Sequence, residues 1–273
     1  MAQWAAFTGL LAVVLFLLLS LARLSQRAVT PSDQDQIRFA GPSPRDPRPT
    51  DPVIPRFERP VHDPRANLST GALLANVALT QGVFGAVVAG GALYFAIPPA
   101  ALGIPETTLA RGVPGVAVGL LFGLGLWAAN EAAGAVADAT GAGYDESLRA
   151  MLAPDSPGGW VLLLGAVLPT VALVEEFVFR SATIGAVGGG FGVSPWLLAV
   201  VSSITFGAAH GAQGRVGMVV TGGLGMALAA GFVLTESLLV VVVAHYLVNA
   251  LELVVHEGLG YDRLTIDGLV KNV

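Results

Sequence analysis

The chain contains no cysteine, which excludes disulfides, thiolate metal sites and cysteine nucleophiles together. Charge is nearly as scarce: 12% of the 273 residues are Asp, Glu, Lys or Arg, against roughly 25% in an ordinary soluble domain. No long basic run occurs and the net charge of −5 is mild, so nothing suits a nucleic-acid partner. Familiar hydrolytic signatures are missing too. There is no Gly-x-Ser-x-Gly elbow. His256–Glu257 opens an HExxH pattern, but Gly260 holds its fifth position and the zincin pattern fails. Asp145, after Tyr144, belongs to a polar stretch, which leaves an aspartyl pair inside a membrane unsupported.

What is present is apolar. Hydrophobic residues make up 54% of the chain and the mean hydropathy is +0.71. Residues 1–22, 66–105, 112–130, 156–174, 181–209 and 216–235 contain no Asp, Glu, Lys, Arg or His. Each run is near or above the roughly 20 residues a helix needs to cross the hydrocarbon core. A soluble helix rarely stays uncharged that long, because one face meets water. Lipid is the expected solvent, and the expected fold is all-α, a polytopic helical bundle with about seven transmembrane helices in the cell membrane. The 35 glycines suit close helix approach in lipid, as Gly119 and Gly123 do in a small-xxx-small pattern.

Four regions are expected. Residues 1–23 form a membrane anchor: Trp4–Ala22 is apolar, has no basic residue ahead of it, and is followed by Arg23 and Arg27, which fits an uncleaved anchor better than a secretory signal. Residues 24–66 mix prolines, including Pro42, Pro44, Pro47 and Pro49, with arginines and aspartates, the composition of an extended linker. His62 falls in that linker. Residues 67–260 hold the remaining spans, with helices expected near 70–97, 113–136, 159–186, 195–211, 215–234 and 238–256. Residues 261–273 are a tail. Pro98, Pro99 and Pro105 break the first long run, Gly188 to Gly190 with Pro195 mark a turn, and Thr235–Glu236–Ser237 separate the last two helices. Pro169 should kink the fourth span.

Against this background a few residues carry chemistry, because an ionisable side chain inside a membrane costs several kcal/mol and is a functional hypothesis by default. The fourth span contains Val174–Glu175–Glu176–Phe177–Val178–Phe179–Arg180. Glu176 and Arg180 are four apart, on one face, and suit an ion pair. Glu175 lies about 100° round the helix and stays available. Phe206 and His210 are four apart at the end of the fifth span, and His245 and Asn249 are four apart in the last. Asn130 and Glu131 near the end of the third span, and His256, are expected at the membrane edge.

Together these residue types suit peptide hydrolysis. A carboxylate in a low-dielectric cavity is a competent general base for water, and a histidine opposite can hold or help deprotonate that water. A second histidine with an asparagine amide can donate to a tetrahedral oxyanion, a contribution often worth about 3 kcal/mol per donor. The alternative account has Glu175, His210 and His245 ligating Zn²⁺, which would itself activate the water.

Glu175–Glu176…Arg180, Phe206…His210 and His245…Asn249 resemble, in order, the EExxxR, FxxxH and HxxxN motifs of the CAAX prenyl protease and bacteriocin-processing family of intramembrane proteases. The spacing is even, 35 residues from Glu175 to His210 and 35 from His210 to His245. Leu234–Thr235–Glu236–Ser237–Leu238 also resembles the family's usual start of the last core helix. The resemblance covers residues 70–260. It implies a membrane endopeptidase in which Glu175 and His210 activate water, His245 and Asn249 form the oxyanion site, and Glu176 and Arg180 support the first helix. It also implies a peptide or membrane-protein substrate, prenylated in the family's eponymous cases. Members are commonly classed as metalloproteases, with a metal-free glutamate mechanism as rival. Ser181 departs from the pattern, where glycine often follows the arginine, as does Pro169, farther from the glutamates than usual.

Two other classes use the same residues: an ion-coupled transporter with a proton or cation relay, and a non-catalytic protease homologue that binds a membrane partner. Sidedness is contested. Eight arginines between residues 23 and 65 favour a cytoplasmic linker. Yet Glu175 and Arg180 in the latter half of the fourth span then approach the exterior, whereas family members open their site toward the cytosol.

Overall fold

The computed structural model describes residues 1–29, 70–104, 108–139 and 147–261. The expected linker, with His62, and the C-terminal tail lie almost wholly outside these residues, as does Asp145. The described residues form a helical bundle without strands, and the protein is a multi-pass membrane protein. Helices α1 (Trp4–Val29), α2 (Thr70–Tyr94), α3 (Gly112–Ala139) and the short α4 (Ser147–Leu152) come first. They are followed by α5 (Pro157–Phe191), α6 (Pro195–Ala209), α7 (Gly214–Thr235) and α8 (Leu238–Gly258). Helices α1, α2, α3, α5 and α8, and α7 with the turn ahead of it, are long and apolar enough to cross a membrane. Helix α6 has 15 residues and reaches about 22 Å at 1.5 Å per residue. That is shorter than the hydrocarbon core of about 30 Å, and His210 follows its last residue.

Chain direction follows from the contacts. Gln3 N–H donates to Phe95 O, and Leu238 N–H donates to Gly103 O, so the start of α1, the α2–α3 connection and the start of α8 share one membrane face. On the opposite face, Leu74, Leu163 and Leu253 join one apolar cluster, bringing together the start of α2, the start of α5 and the end of α8. The helices alternate between these faces. The end of α1 and the start of α2 accordingly lie on the face where α8 finishes.

Helix α1 is more than a tether. Phe7, Leu11 and Val14 are buried with Val88 and Ala92 of α2 and Val178, Phe179 and Ala182 of α5 in one cluster. Helices α3 and α8 touch at backbone distance. A Cβ on Gly119 would stand 2.8 Å from the Val240 carbonyl, and one on Gly123 2.9 Å from Ala244 Cα, the close approach expected of the small-xxx-small pair.

Helix α5 is continuous but not uniformly α. A π-helical stretch, Leu163–Val167, precedes Pro169 in the α-helical run Leu168–Glu176, and a second π stretch follows at Phe177–Ala186. A proline lacks the N–H that an α-turn would use, and the wider turn ahead of it accommodates that loss. At 35 residues, α5 is longer than the expected 159–186 span, so Glu175 falls near its middle and Arg180 in its latter half.

Candidate active site

Polar groups on α5 enter a setting that is otherwise apolar. Glu176 and Arg180 are both fully buried, and Arg180 Nη1 donates to Glu176 Oε1 at 2.9 Å, the expected pair. The guanidinium makes two further contacts. Nη2 donates to the Gly225 carbonyl of α7 at 2.9 Å, and Cζ sits 4.7 Å from the Phe206 ring centroid, within cation–π range. One arginine thus ties α5 to α6 and α7. Ser181, the departure from the family pattern, is also fully buried and donates to the Leu102 carbonyl at 2.8 Å, anchoring α5 to the connection after α2.

Helix α8 brings His245 to the same place. Its Nδ1 lies 2.6 Å from Glu176 Oε1 and its Nε2 3.8 Å from Glu175 Oε2. The first is a hydrogen bond, with Nδ1–H donating; the second exceeds hydrogen-bond range. Glu176 Oε1 therefore receives both Arg180 and His245, while its Oε2 has no hydrogen-bond partner among the described residues. Glu175 is not left bare as the sequence suggests. Gln81 Nε2, from α2, donates to Glu175 Oε1 at 2.9 Å. Sequence reasoning missed Gln81. The available signal was an amide in the middle of a charge-free span, weaker than a charge because an amide costs less to bury.

His210 follows the last residue of α6, where its Nδ1 lies 2.9 Å from the Phe206 carbonyl. A carbonyl only accepts, so Nδ1 carries a hydrogen, and a ring with that single hydrogen presents Nε2 as a lone pair. Phe206 organises both imidazoles: its ring centroid is 4.5 Å from that of His210 and 6.1 Å from that of His245. Phe179 packs edge-on against it at 5.1 Å. Helices α5, α6 and α8 thus meet around one aromatic ring, with α2 adding an amide.

Asn249 faces a cavity of about 280 Å³ that also meets Val77 of α2, Val171 of α5, Gln213, Asn130 and Arg149. Glu175, His210 and His245 are not on its wall. They stand deeper: Gln81 is four residues beyond Val77, Glu175 four beyond Val171, and His245 four before Asn249 on a helix running the other way. Four residues return to the same helix face about 6 Å along the axis. The polar cluster lies one turn past the cavity on three helices at once, and the cavity lies toward the face where α8 ends. Asn130, expected at the membrane edge, lines that cavity.

The zinc account needs one ligand atom from each of Glu175, His210 and His245 around a single point. These atoms do not come within 4.8 Å of one another; among the described residues that is met by Glu131, Glu252 and His256. His245 also gives Nδ1 to Glu176. Glu175, His210 and His245 do not fit a metal in this arrangement.

Residues 157–251 match the family described as Rce1-like, the type II CAAX prenyl endopeptidase Rce1-like family. The match contains every motif residue from Glu175 to Asn249, so the resemblance read from the motifs and this match fall on one segment. Neither the curated proteins nor the solved structures provide a match.

Proposed function

We propose, from the CAAX prenyl endopeptidase segment at residues 157–251, that this protein is an intramembrane endopeptidase that hydrolyses membrane-associated or prenylated peptides by a metal-free glutamate mechanism. The observation that carries the reading is the meeting of Glu175, Glu176 and His245 in one buried cluster, with His210 joined to it through the Phe206 ring.

In this reading Glu175 takes a proton from a water that attacks the peptide carbonyl, and the same carboxyl then delivers that proton to the leaving amine. His210 holds the water through its Nε2 lone pair. His245 donates from Nε2 to the oxyanion; since Nδ1 already donates to Glu176, the donating ring carries both protons, with Glu176 as its counter-ion. Asn249, one turn toward the cavity, adds an amide donor to the oxyanion or to the bound substrate. Glu176, Arg180, Phe206 and Gln81 position these groups. Substrate enters from the face bearing the end of α8. The eight arginines between residues 23 and 65 favour the cytoplasm for that face, in a protein of the cell membrane. Residues 67–260 form the protease unit and residues 1–23 a packed anchor.

The test is cleavage of a farnesylated peptide and of its unprenylated form by the purified protein in nanodiscs, with a Glu175→Gln variant beside it. The variant should lose about 10²–10⁴-fold in rate, the usual worth of a general base, while inserting normally. Retained cleavage by Glu175→Gln would overturn the reading. Ion-coupled flux in proteoliposomes without any cleavage would favour the transporter instead.

A further inference from the structure

The turn that follows His210 carries Gln213, a residue with no part in the proposed hydrolysis. Its N–H donates to the His210 carbonyl at 3.0 Å, so one short turn, Gly211–Gln213, places both residues. Gln213 lines the cavity of about 280 Å³ that Asn249 of α8 also lines.

The chain is built around this side chain at two positions of α7. A Cβ on Gly217 would collide with Gln213 Cβ, so the glycine leaves the room that the glutamine occupies. One turn further, Thr221 Oγ1 donates to Gln213 Oε1 at 2.6 Å. Thr170, Thr205 and Thr235 instead donate to the carbonyl four residues before them, the usual choice inside a helix. Thr221 gives its hydrogen to the amide, and Oε1 is thereby held as an acceptor. Both Nε2 hydrogens remain for another partner.

Nε2 has no partner among the described residues and is accessible, since the buried side-chain atoms without one are Trp127 Nε1, Glu176 Oε2 and Arg180 Nε. The Asn249 amide has no partner among the described residues either. The cavity's other polar residues are engaged with one another: Asn130 and Arg149 both donate to Glu252. Leu74, Val77, Val171 and Leu224 are among its apolar residues. Two amide donors in an apolar cleft suit an extended peptide, which presents a residue roughly every 3.3 Å and whose carbonyls need partners once they leave water.

We propose that Gln213 is a substrate-binding residue: its Nε2 donates to a main-chain carbonyl of the peptide beside the scissile bond, and Thr221 orients the amide. This rests on the endopeptidase reading. Because the contact is to backbone, it fixes the register of the bound chain without selecting a side chain.

The experiment uses the full chain in nanodiscs and a fluorescein-labelled farnesylated peptide. Binding is read by anisotropy in the Glu175→Gln background, and cleavage by protein that keeps Glu175 is measured in parallel. Gln213→Leu should weaken binding about threefold to tenfold, the worth of one neutral hydrogen bond, and raise KM with kcat little changed. Gln213→Glu, equal in size but offering only acceptors, should bind more weakly still. Thr221→Val, which frees the amide to turn, should fall between the parent and Gln213→Leu. A thioamide is then placed at each peptide bond of the ligand in turn, sulfur being a poor acceptor. One position should weaken binding in the parent and have no effect in Gln213→Leu, the coupling that a double-mutant cycle isolates; a role confined to packing would lower the unfolding midpoint without it. The proposal is overturned if Gln213→Leu binds as tightly as its parent, if Gln213→Glu binds more tightly than Gln213→Leu, if no thioamide position couples to residue 213, or if the Glu175→Gln protein binds no peptide. Cleavage indifferent to Gln213 would sink this contact alone, and Gln213-dependent binding without cleavage would sink the protease assignment alone.

Discussion

His245 Nδ1 and Arg180 Nη1 converge on a single oxygen, Oε1 of Glu176, at 2.6 and 2.9 Å. Glu176 is therefore the point at which α8 is registered against α5. Removing one member of a buried pair leaves the other charge uncompensated, at a cost of about 3–5 kcal/mol. Glu176→Ala should lower the thermal midpoint in detergent by an amount of that order and abolish cleavage. Adding Arg180→Met to Glu176→Ala should recover much of the stability but none of the activity, because His245 still lacks its partner. A Glu176→Ala variant as active as the wild type would contradict this arrangement.

Gln81 reaches Glu175 from a helix outside the matched segment. Replacing its amide by an isosteric apolar chain, Gln81→Leu, leaves the carboxylate free to turn. Misplacement of a reacting group by about 1 Å costs up to roughly 100-fold, so kcat should fall about 10- to 100-fold with KM little changed. Steady-state kinetics on a fluorogenic peptide separates the two. A change confined to KM would mean that Gln81 contacts substrate and does not position the base.

The α3–α8 contact should be intolerant at one glycine and indifferent at its neighbour. A Cβ on Gly123 would lie 2.9 Å from both Ala244 Cα and its carbonyl oxygen, whereas one on Gly125 meets nothing within 4 Å. Ala244 precedes His245, so parting the helices moves the imidazole. Gly123→Val should cost about 1–3 kcal/mol, the usual range for overpacking, and reduce activity with it. Gly125→Ala should alter neither, as thermal unfolding and cleavage assays on both variants will report.

Phe206 touches Arg180, His210, His245 and Phe179. Phe206→Ala should cost about 3–5 kcal/mol as a buried aromatic truncation. Phe206→Leu fills most of the volume and should retain more stability, yet it removes the ring against which both imidazoles rest. Activity well below that of the wild type in a stably folded Phe206→Leu protein is the expected result; full activity would show that the ring acts only as filling.

Orientation is open to a cysteine scan, since the chain has no cysteine of its own. Single cysteines at Leu259 and Trp196, exposed and near opposite ends of the bundle, should label from opposite sides. Leu259 should be the one protected from an impermeant maleimide in intact cells.

The spans were legible because lipid imposes a one-dimensional rule: a crossing helix needs about 20 residues with few charges, and each charge that breaks the rule is conspicuous. The Glu176–Arg180 pair was legible for a related reason, since four residues bring side chains onto one face. Partners across helices were not legible. Gln81 lies 94 residues from Glu175, and the link between Glu131 and His256 covers 125; no local period connects them. His256–Glu257 fails the sequential HExxH motif, yet Glu131 from another helix lies beside His256 together with Glu252.

The sequence by itself determined that this is an all-helical membrane protein whose motif-forming ionisable residues fall in α5, just after α6 and in α8, because hydropathy and helical period are local properties. Tertiary structure alone decided that Glu176 joins His245 to Arg180, that Gln81 serves Glu175, and that the trio expected for zinc is too dispersed for it. Those outcomes depend on how far apart the helices pack and how each is rotated, which glycine contacts, the π-helical turns and the short α6 set together.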